Sequence, residues 1–268
     1  MDVNKISFFK YQEAGNDFVV LDNLDCKFSG ISANRVAKLC DRRFGIGGDG
    51  LLLLSPSDGS FSFRMEYFNQ DGSRASFCGN GARCICAFAV AQGAVNAYTE
   101  FSFIADDGPH MACVYPESDW VELQMKNVDR VSLQPDGAYV LDTGVPHYVR
   151  FVDDLDGLDI MSVAPKIRYS QLYAPAGVNV NFVSVESESH ISIRTYERGV
   201  EGETLACGTG ITAAAIASSL KTSASKFDVS AKGGELSVSF SRNEDGSFSK
   251  VLLAGPAKAV FSGTTDLL

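Results

Sequence analysis

The feature that most constrains this chain is a turn that occurs twice. Ser76-Phe77-Cys78-Gly79-Asn80-Gly81 and Leu205-Ala206-Cys207-Gly208-Thr209-Gly210 both read Cys-Gly-x-Gly, and each runs into a stretch of small and apolar residues. Helices of that composition, predicted over 79–92 and 208–220, have no polar face and must be buried on every side. The two cysteines stand 129 positions apart (78 to 207), close to half of the 268 residues. A chain of that length divides comfortably into two domains. The pattern predicts a degenerate internal duplication, with one central helix in each half.

Around these helices the chain reads as short strands rich in β-branched and aromatic residues. They fall at 6–9, 18–22, 61–68, 98–103, 111–115 and 120–125, then at 138–141, 147–152, 182–186, 191–196, 236–240 and 251–254. A third helix is expected over 32–43, capped by Ser32, with Val36, Leu39 and Cys40 on its inner stripe. The expected class is α/β (α+β), two similar domains, each a curled, mainly antiparallel sheet around its buried helix. A weaker echo pairs 17–22 with 181–186 at a different offset, which leaves extra sequence around 41–54 in the first half. The domains are expected at 1–125, completed by a strand at about 257–268, and at 126–256.

Charge and cysteine usage narrow the function. Lys and Arg total 23 against 33 Asp and Glu, a net charge of −10. Such a chain repels phosphate backbones, so no nucleic-acid partner is expected. No apolar run is long enough to span a membrane. The N-terminus carries no signal-peptide pattern, so a cytoplasmic protein without a membrane partner is expected. Seven cysteines, an odd number, argue against a disulfide framework. Cys84-x-Cys86 lacks zinc-site spacing, so no metal is expected.

A thiol just ahead of a buried helix lies where free N–H groups and the positive dipole end converge. That setting favours the thiolate, and the same N–H groups cradle a carboxylate. One such turn suggests a nucleophile. Two suggest an acid and a base working on opposite faces of one carbon, which is racemisation or epimerisation. Helix starts aimed at an α-carboxylate would stabilise the carbanion character that such chemistry requires.

Longer segments carry a specific resemblance. Phe68-Asn69-Gln70-Asp71-Gly72-Ser73 followed by Cys78-Gly79-Asn80-Gly81-Ala82-Arg83-Cys84 resembles the first signature of the diaminopimelate epimerases. Glu197-Arg198-Gly199-Val200-Glu201-Gly202-Glu203-Thr204-Leu205-Ala206-Cys207-Gly208-Thr209-Gly210 resembles the second. Gly15-Asn16-Asp17-Phe18 and the segment from Asp41 to Gly50 are also similar to family segments, in the family's order. The resemblance implies a cofactor-free isomerase, with its site in a cleft between two pseudo-symmetric domains. It would interconvert LL- and meso-diaminopimelate on the route to lysine and cell-wall peptide. It implies a small dicarboxylic diamino acid as substrate, and a homodimer.

Carried over residue by residue, the resemblance makes Cys78 and Cys207 the proton-transfer pair. Gly79, Asn80, Gly208 and Thr209 would hold the reacting carboxylate. Asn16, Asn69, Asn179, Glu197 and Arg198 would contact the substrate, Arg198 on its distal carboxylate, which a guanidinium matches bidentately. His147 and Glu197 would set the protonation of the cysteines. Three positions depart from the commonest pattern: Val145 where Asn precedes Pro-His, Asn181 where Gly follows Val180, and Gly50 where some members have Gln. Alternatives are a proline or hydroxyproline racemase, a thiol hydrolase pairing Cys78 with His147, and a non-catalytic binding module. A cyclic imino acid needs no distal Arg, a hydrolase gives no role to the second turn, and a binding module would tolerate loss of both cysteines.

Overall fold

The computed structural model describes residues 5–266. The chain forms two compact units. One runs to Leu123 and resumes at Gly255, and the other is Gln124–Ala254. Through the first unit the elements are β1 (Ile6–Glu13), β2 (Asn16–Asp22), α1 (Ala33–Cys40), β3 (Gly50–Ser55), β4 (Arg64–Asn69), β5 (Arg74–Ala75), α2 (Gly79–Ala91), β6 (Phe101–Ala105), β7 (Gly108–Tyr115) and β8 (Trp120–Gln124). The second unit has β9 (Val131–Leu133), β10 (Tyr139–Asp142), β11 (Pro146–Phe151), α3 (Ile160–Arg168), β12 (Asn179–Val185), β13 (His190–Glu197), β14 (Gly202–Thr204), α4 (Gly208–Ser219), β15 (Lys226–Ala231), β16 (Gly234–Arg242) and β17 (Phe248–Pro256). The chain then returns as β18 (Lys258–Thr265).

The units repeat one topology. In the first the strand order is β1-β2-β3-β4-β6-β7-β8, antiparallel except at β2/β3 and β4/β6. In the second it is β10-β11-β12-β13-β15-β16-β17, antiparallel except at β11/β12 and β13/β15. A flanking strand closes each on its outer side, β18 against β1 and β9 against β10. Each sheet curls around its helix. α2 packs on β1, β2, β3, β4, β7 and β18, and α4 on β10, β11, β12, β13, β15 and β16. In α2 the side chains from Ala82 to Cys86 are fully buried, and in α4 so are those from Ile211 to Ala217. Ala-rich helices suit this place, because small side chains let the sheet close on all sides at interior packing density. Among the described residues no helix is long and apolar enough to cross a membrane.

A single offset relates the repeats at their centre. Phe18 lies opposite Gly50 between β2 and β3, and His147 opposite Asn179 between β11 and β12. Both pairs differ by the 129 positions that separate Cys78 from Cys207. This corrects the weaker echo. The counterpart of β2 is β11, not the strand at 181–186, and the residues read as extra sequence contain β3, the counterpart of β12. The counterpart of α1 is α3, which the sequence pattern did not announce. Pro165 lies inside α3 and argues against a helix there. Asp159 nonetheless fixes its start by accepting from the Ser162 N–H at 3.2 Å. Boundaries moved elsewhere. α1 ends at Cys40 because Asp41 is extended. The strand expected from Tyr98 begins at Phe101, since Tyr98 is left-handed with φ +59. Of the strand expected at about 257–268, residues 267 and 268 lie outside the described chain.

Candidate active site

In the first unit Cys78 is the N-cap residue of α2, and its half-buried Sγ accepts the Gly81 N–H at 3.5 Å. Asn80 therefore does not cap the helix. Its Nδ2 donates to Asn16 Oδ1 at 3.3 Å, and its Oδ1 accepts from Arg83 Nη2 at 2.8 Å. Arg83 is wholly buried against an equally buried Glu13, 2.8 Å away. Asn16 is pinned from its other end, where Nδ2 donates to Asp49 Oδ2 at 2.7 Å. That bond fixes the amide, so Oδ1 faces Cys78 and accepts its S–H at 3.9 Å. Arg42 spans Asp49 and Asp17, and Lys10 lies 2.7 Å from Asp17. Although burial opposes it, hydrogen bonds from Arg42 and Lys10 hold the Asp17 carboxyl down to about 2.

The thiolate expected at this helix start is not what the free protein favours. Burial pushes the Cys78 thiol up, outweighing the N–H groups of Gly81 and Asn80. Two donors at a helix start do not replace the hydration that the sulfur loses. A Cβ at Gly79 would meet open space, which leaves the helix start approachable. Asn69 ends β4 with its amide engaged in its own turn, accepting from Tyr67 Oη and donating to Ser73 Oγ, both at 3.0 Å. Gly50 is closely overlaid. A Cβ there would come 2.5 Å from the Phe68 carbonyl oxygen, so this backbone has closed onto a glycine.

In the second unit Cys207 is the buried N-cap residue of α4, with Sγ 3.5 Å from Thr209 Oγ1. The Thr209 carbonyl accepts from the buried Thr143 hydroxyl at 2.9 Å. Burial raises the Glu197 carboxyl, outweighing the hydrogen bond from Cys207. A carboxyl with raised affinity for protons therefore touches the second thiol. Asn179 braces the strand ends, accepting the Arg198 N–H at 2.8 Å and donating to the Pro146 carbonyl at 3.2 Å. The Arg198 guanidinium has no hydrogen bond or ion pair among the described residues. By contrast, Arg168 and Arg194 are bound by Glu201 and Glu203. His147 is fully buried and held neutral, pushed down to about 3 by burial and by the charge of Arg198.

Several members of these networks escaped the sequence reading. Arg83 and Asp49 lie inside the quoted motifs, but their types alone do not say what they bind. Glu201, left-handed at φ +56, clips the β13–β14 turn to α3 through Arg168 and Tyr169. With α3 unrecognised, that clip had no visible partner.

The family model described as Diaminopimelate epimerase matches residues 8–131 and 139–260, one span in each repeat. A diaminopimelate epimerase of Flavobacterium psychrophilum is 47% identical over 261 residues, 97% of this chain and 100% of the relative. The chain belongs to the diaminopimelate epimerase family. A second member of the family, from Aquifex aeolicus, is 40% identical over 96% of this chain and 97% of its own length. The diaminopimelate epimerase fold extends further than the sequence likeness. A PhzF-family phenazine biosynthesis protein of Bacillus anthracis superposes with TM-score 0.71 at 13% identity, covering 97% of this chain and 99% of that one. A hydroxyproline epimerase of Agrobacterium vitis does so with TM-score 0.65 at 16% identity, covering 98% and 93%. Identities this low speak for the fold alone.

Proposed function

We propose that this protein is an isomerase that interconverts LL- and meso-2,6-diaminopimelate by proton transfer between Cys78 and Cys207, in lysine and peptidoglycan precursor synthesis. The observation that carries the reading is the duplicated thiol at a helix start, in a chain 47% identical to a diaminopimelate epimerase across nearly its whole length. One sulfur, as thiolate, takes the proton from Cα, and the C–H electron pair stays on carbon. The other sulfur, as thiol, gives its proton to the opposite face. The two exchange roles when the reaction runs backwards, so no cofactor enters the balance. The N–H groups at Gly79, Asn80, Gly208 and Thr209 stabilise the carboxylate while its charge grows.

The resting thiols need an exit for one proton. In this reading Glu197 takes it from Cys207, since burial makes that carboxyl a better acceptor than an ordinary glutamate. His147 sets protonation at the thiols as well. The guanidinium of Arg198, unpaired among the described residues, suits a distal carboxylate, with Asn16, Asn69 and Asn179 on the remaining polar groups of the substrate. The reading takes the protein as a cytoplasmic homodimer with a small-molecule partner and neither nucleic acid nor membrane. Light scattering at working concentration checks the dimer.

The deciding assay incubates purified protein with LL-diaminopimelate in deuterated buffer. Formation of the meso isomer carrying deuterium at the inverted carbon is expected. Failure to turn over diaminopimelate, together with turnover of proline, would move the chain to the imino-acid racemases.

A further inference from the structure

Asn181 is a buried amide at a place where the fold accepts a leucine. Its counterpart at the common offset is Leu52, and both face the second glycine of the helix-opening turn. A Cβ on Gly81 would lie 3.1 Å from Leu52 Cδ2, and one on Gly210 would lie 2.5 Å from Asn181 Oδ1. Both residues are fully buried. Packing alone therefore does not call for an amide at 181, and burying one is costly unless its hydrogen bonds are met.

They are met in a way that fixes every atom. Asn181 Nδ2 lies 2.9 Å from the Tyr148 carbonyl oxygen, which can only accept, so the orientation of the amide is settled. Oδ1 accepts from Thr195 Oγ1 at 2.9 Å. The second hydrogen on Nδ2 is directed to His147 Nδ1, 3.1 Å away. A nitrogen that receives a hydrogen bond must offer a lone pair. The neutral imidazole then carries its proton on Nε2, and that buried atom has no hydrogen-bond partner among the described residues.

We propose that Asn181 is a positioning residue that locks His147 as a neutral Nε2–H donor, so that His147 serves the reaction by donating to an anion and not by removing a proton. The inference rests on the epimerase reading for the identity of that anion, a cysteine thiolate or a substrate carboxylate. The basic nitrogen is covered by Asn181. Protonating it would set two donors face to face.

The test uses the full-length protein with 15N-labelled histidine. It has three histidines, at 110, 147 and 190. His110→Gln and His190→Gln leave the His147 signals assigned. A pyridine-like Nδ1 and a pyrrole-like Nε2 are expected, unchanged from mildly acid to mildly alkaline pH. Asn181→Leu copies the other repeat and should fold. It should release Nδ1, mix the tautomers and lower kcat by about tenfold or more with little change in KM. Asn181→Asp should place a proton on Nδ1. A protonated Nδ1 in the wild type, or an unchanged tautomer in Asn181→Leu, overturns the lock. A shifted tautomer with unchanged kcat overturns the role in the reaction. The nitrogen spectrum does not depend on turnover, so failure of the lock is distinguishable from failure of the epimerase reading.

Discussion

Asn16 and Val145 occupy one position of the repeat, yet only Asn16 brings an acceptor to its cysteine. Asn16 opens β2 and takes the Cys78 S–H on Oδ1. Val145 stands just ahead of β11 with an apolar side chain, and the second thiol is served by the Glu197 carboxyl instead. The duplication is symmetric in topology and asymmetric in proton acceptors: a neutral amide for one sulfur, a titratable group for the other. That suits two groups which must react in different protonation states.

Replacing Asn16 tests this division. Asn16→Leu removes the acceptor for Cys78 and strips partners from Asn80 Nδ2 and Asp49. A lost hydrogen bond of this kind is worth about 1 kcal/mol or more. A fall in kcat/KM of about tenfold or greater is expected, measured by steady-state kinetics on diaminopimelate.

The cysteines should fail as mirror images. Cys78→Ala and Cys207→Ala should each lose epimerisation by roughly several orders of magnitude, since a two-base cycle stops when either partner is missing. Each variant keeps one thiol at a helix start and should still exchange the α-proton of one stereoisomer slowly with deuterated solvent. Near-normal turnover in Cys207→Ala beside a dead Cys78→Ala would overturn the two-base reading.

Acid should weaken the first unit through Asp17. Its carboxyl is held at about 2, below the ordinary 3.8. A depressed carboxyl adds stability that is fully present above the unfolded value and lost as pH falls from about 4 towards 2. The shift is worth about 2 kcal/mol at neutral pH. Asp17→Asn should therefore destabilise by up to about 2 kcal/mol at pH 7, with the gap closing at pH 2. Urea denaturation at both values measures it.

The buried pair beneath Cys78 gives a stability prediction of another kind. Arg83→Met would leave the Glu13 carboxylate buried without a counter-charge and should cost about 3–5 kcal/mol. Combining it with Glu13→Leu should recover most of that loss, because two well-packed apolar groups often replace a buried ion pair without penalty. A full loss in the double variant would show that Asn80, which Arg83 also holds, carries the effect.

What was legible in the sequence follows from where information is local. The two Cys-Gly-x-Gly turns, the all-apolar helices and the strand at 191–196 are patterns within one element, and each appears where it was expected. The misassigned echo shows the opposite case. The β2 and β12 sequences look alike because both are buried strands that share Phe and Val. Only the pairing of Phe18 with Gly50 and His147 with Asn179 gives the true register. The sulfur chemistry was half legible. The helix start is local, but the burial that raises the Cys78 thiol is a property of the folded chain, in which Asn16 reaches the sulfur from 62 residues away. Asn181 could be seen as a departure, while its hold on His147 depends on three strands meeting.

The return of β18 to β1 has a consequence for the newborn chain. During synthesis the whole second repeat is made before residues 258–265 exist. The repeat made first is therefore completed last, and until then β1 presents a side of unpaired N–H and C=O groups to whatever strand arrives. The second repeat, inserted within the first, forms its own sheet without β18. The first must keep its place open for a strand that is made only after the second repeat.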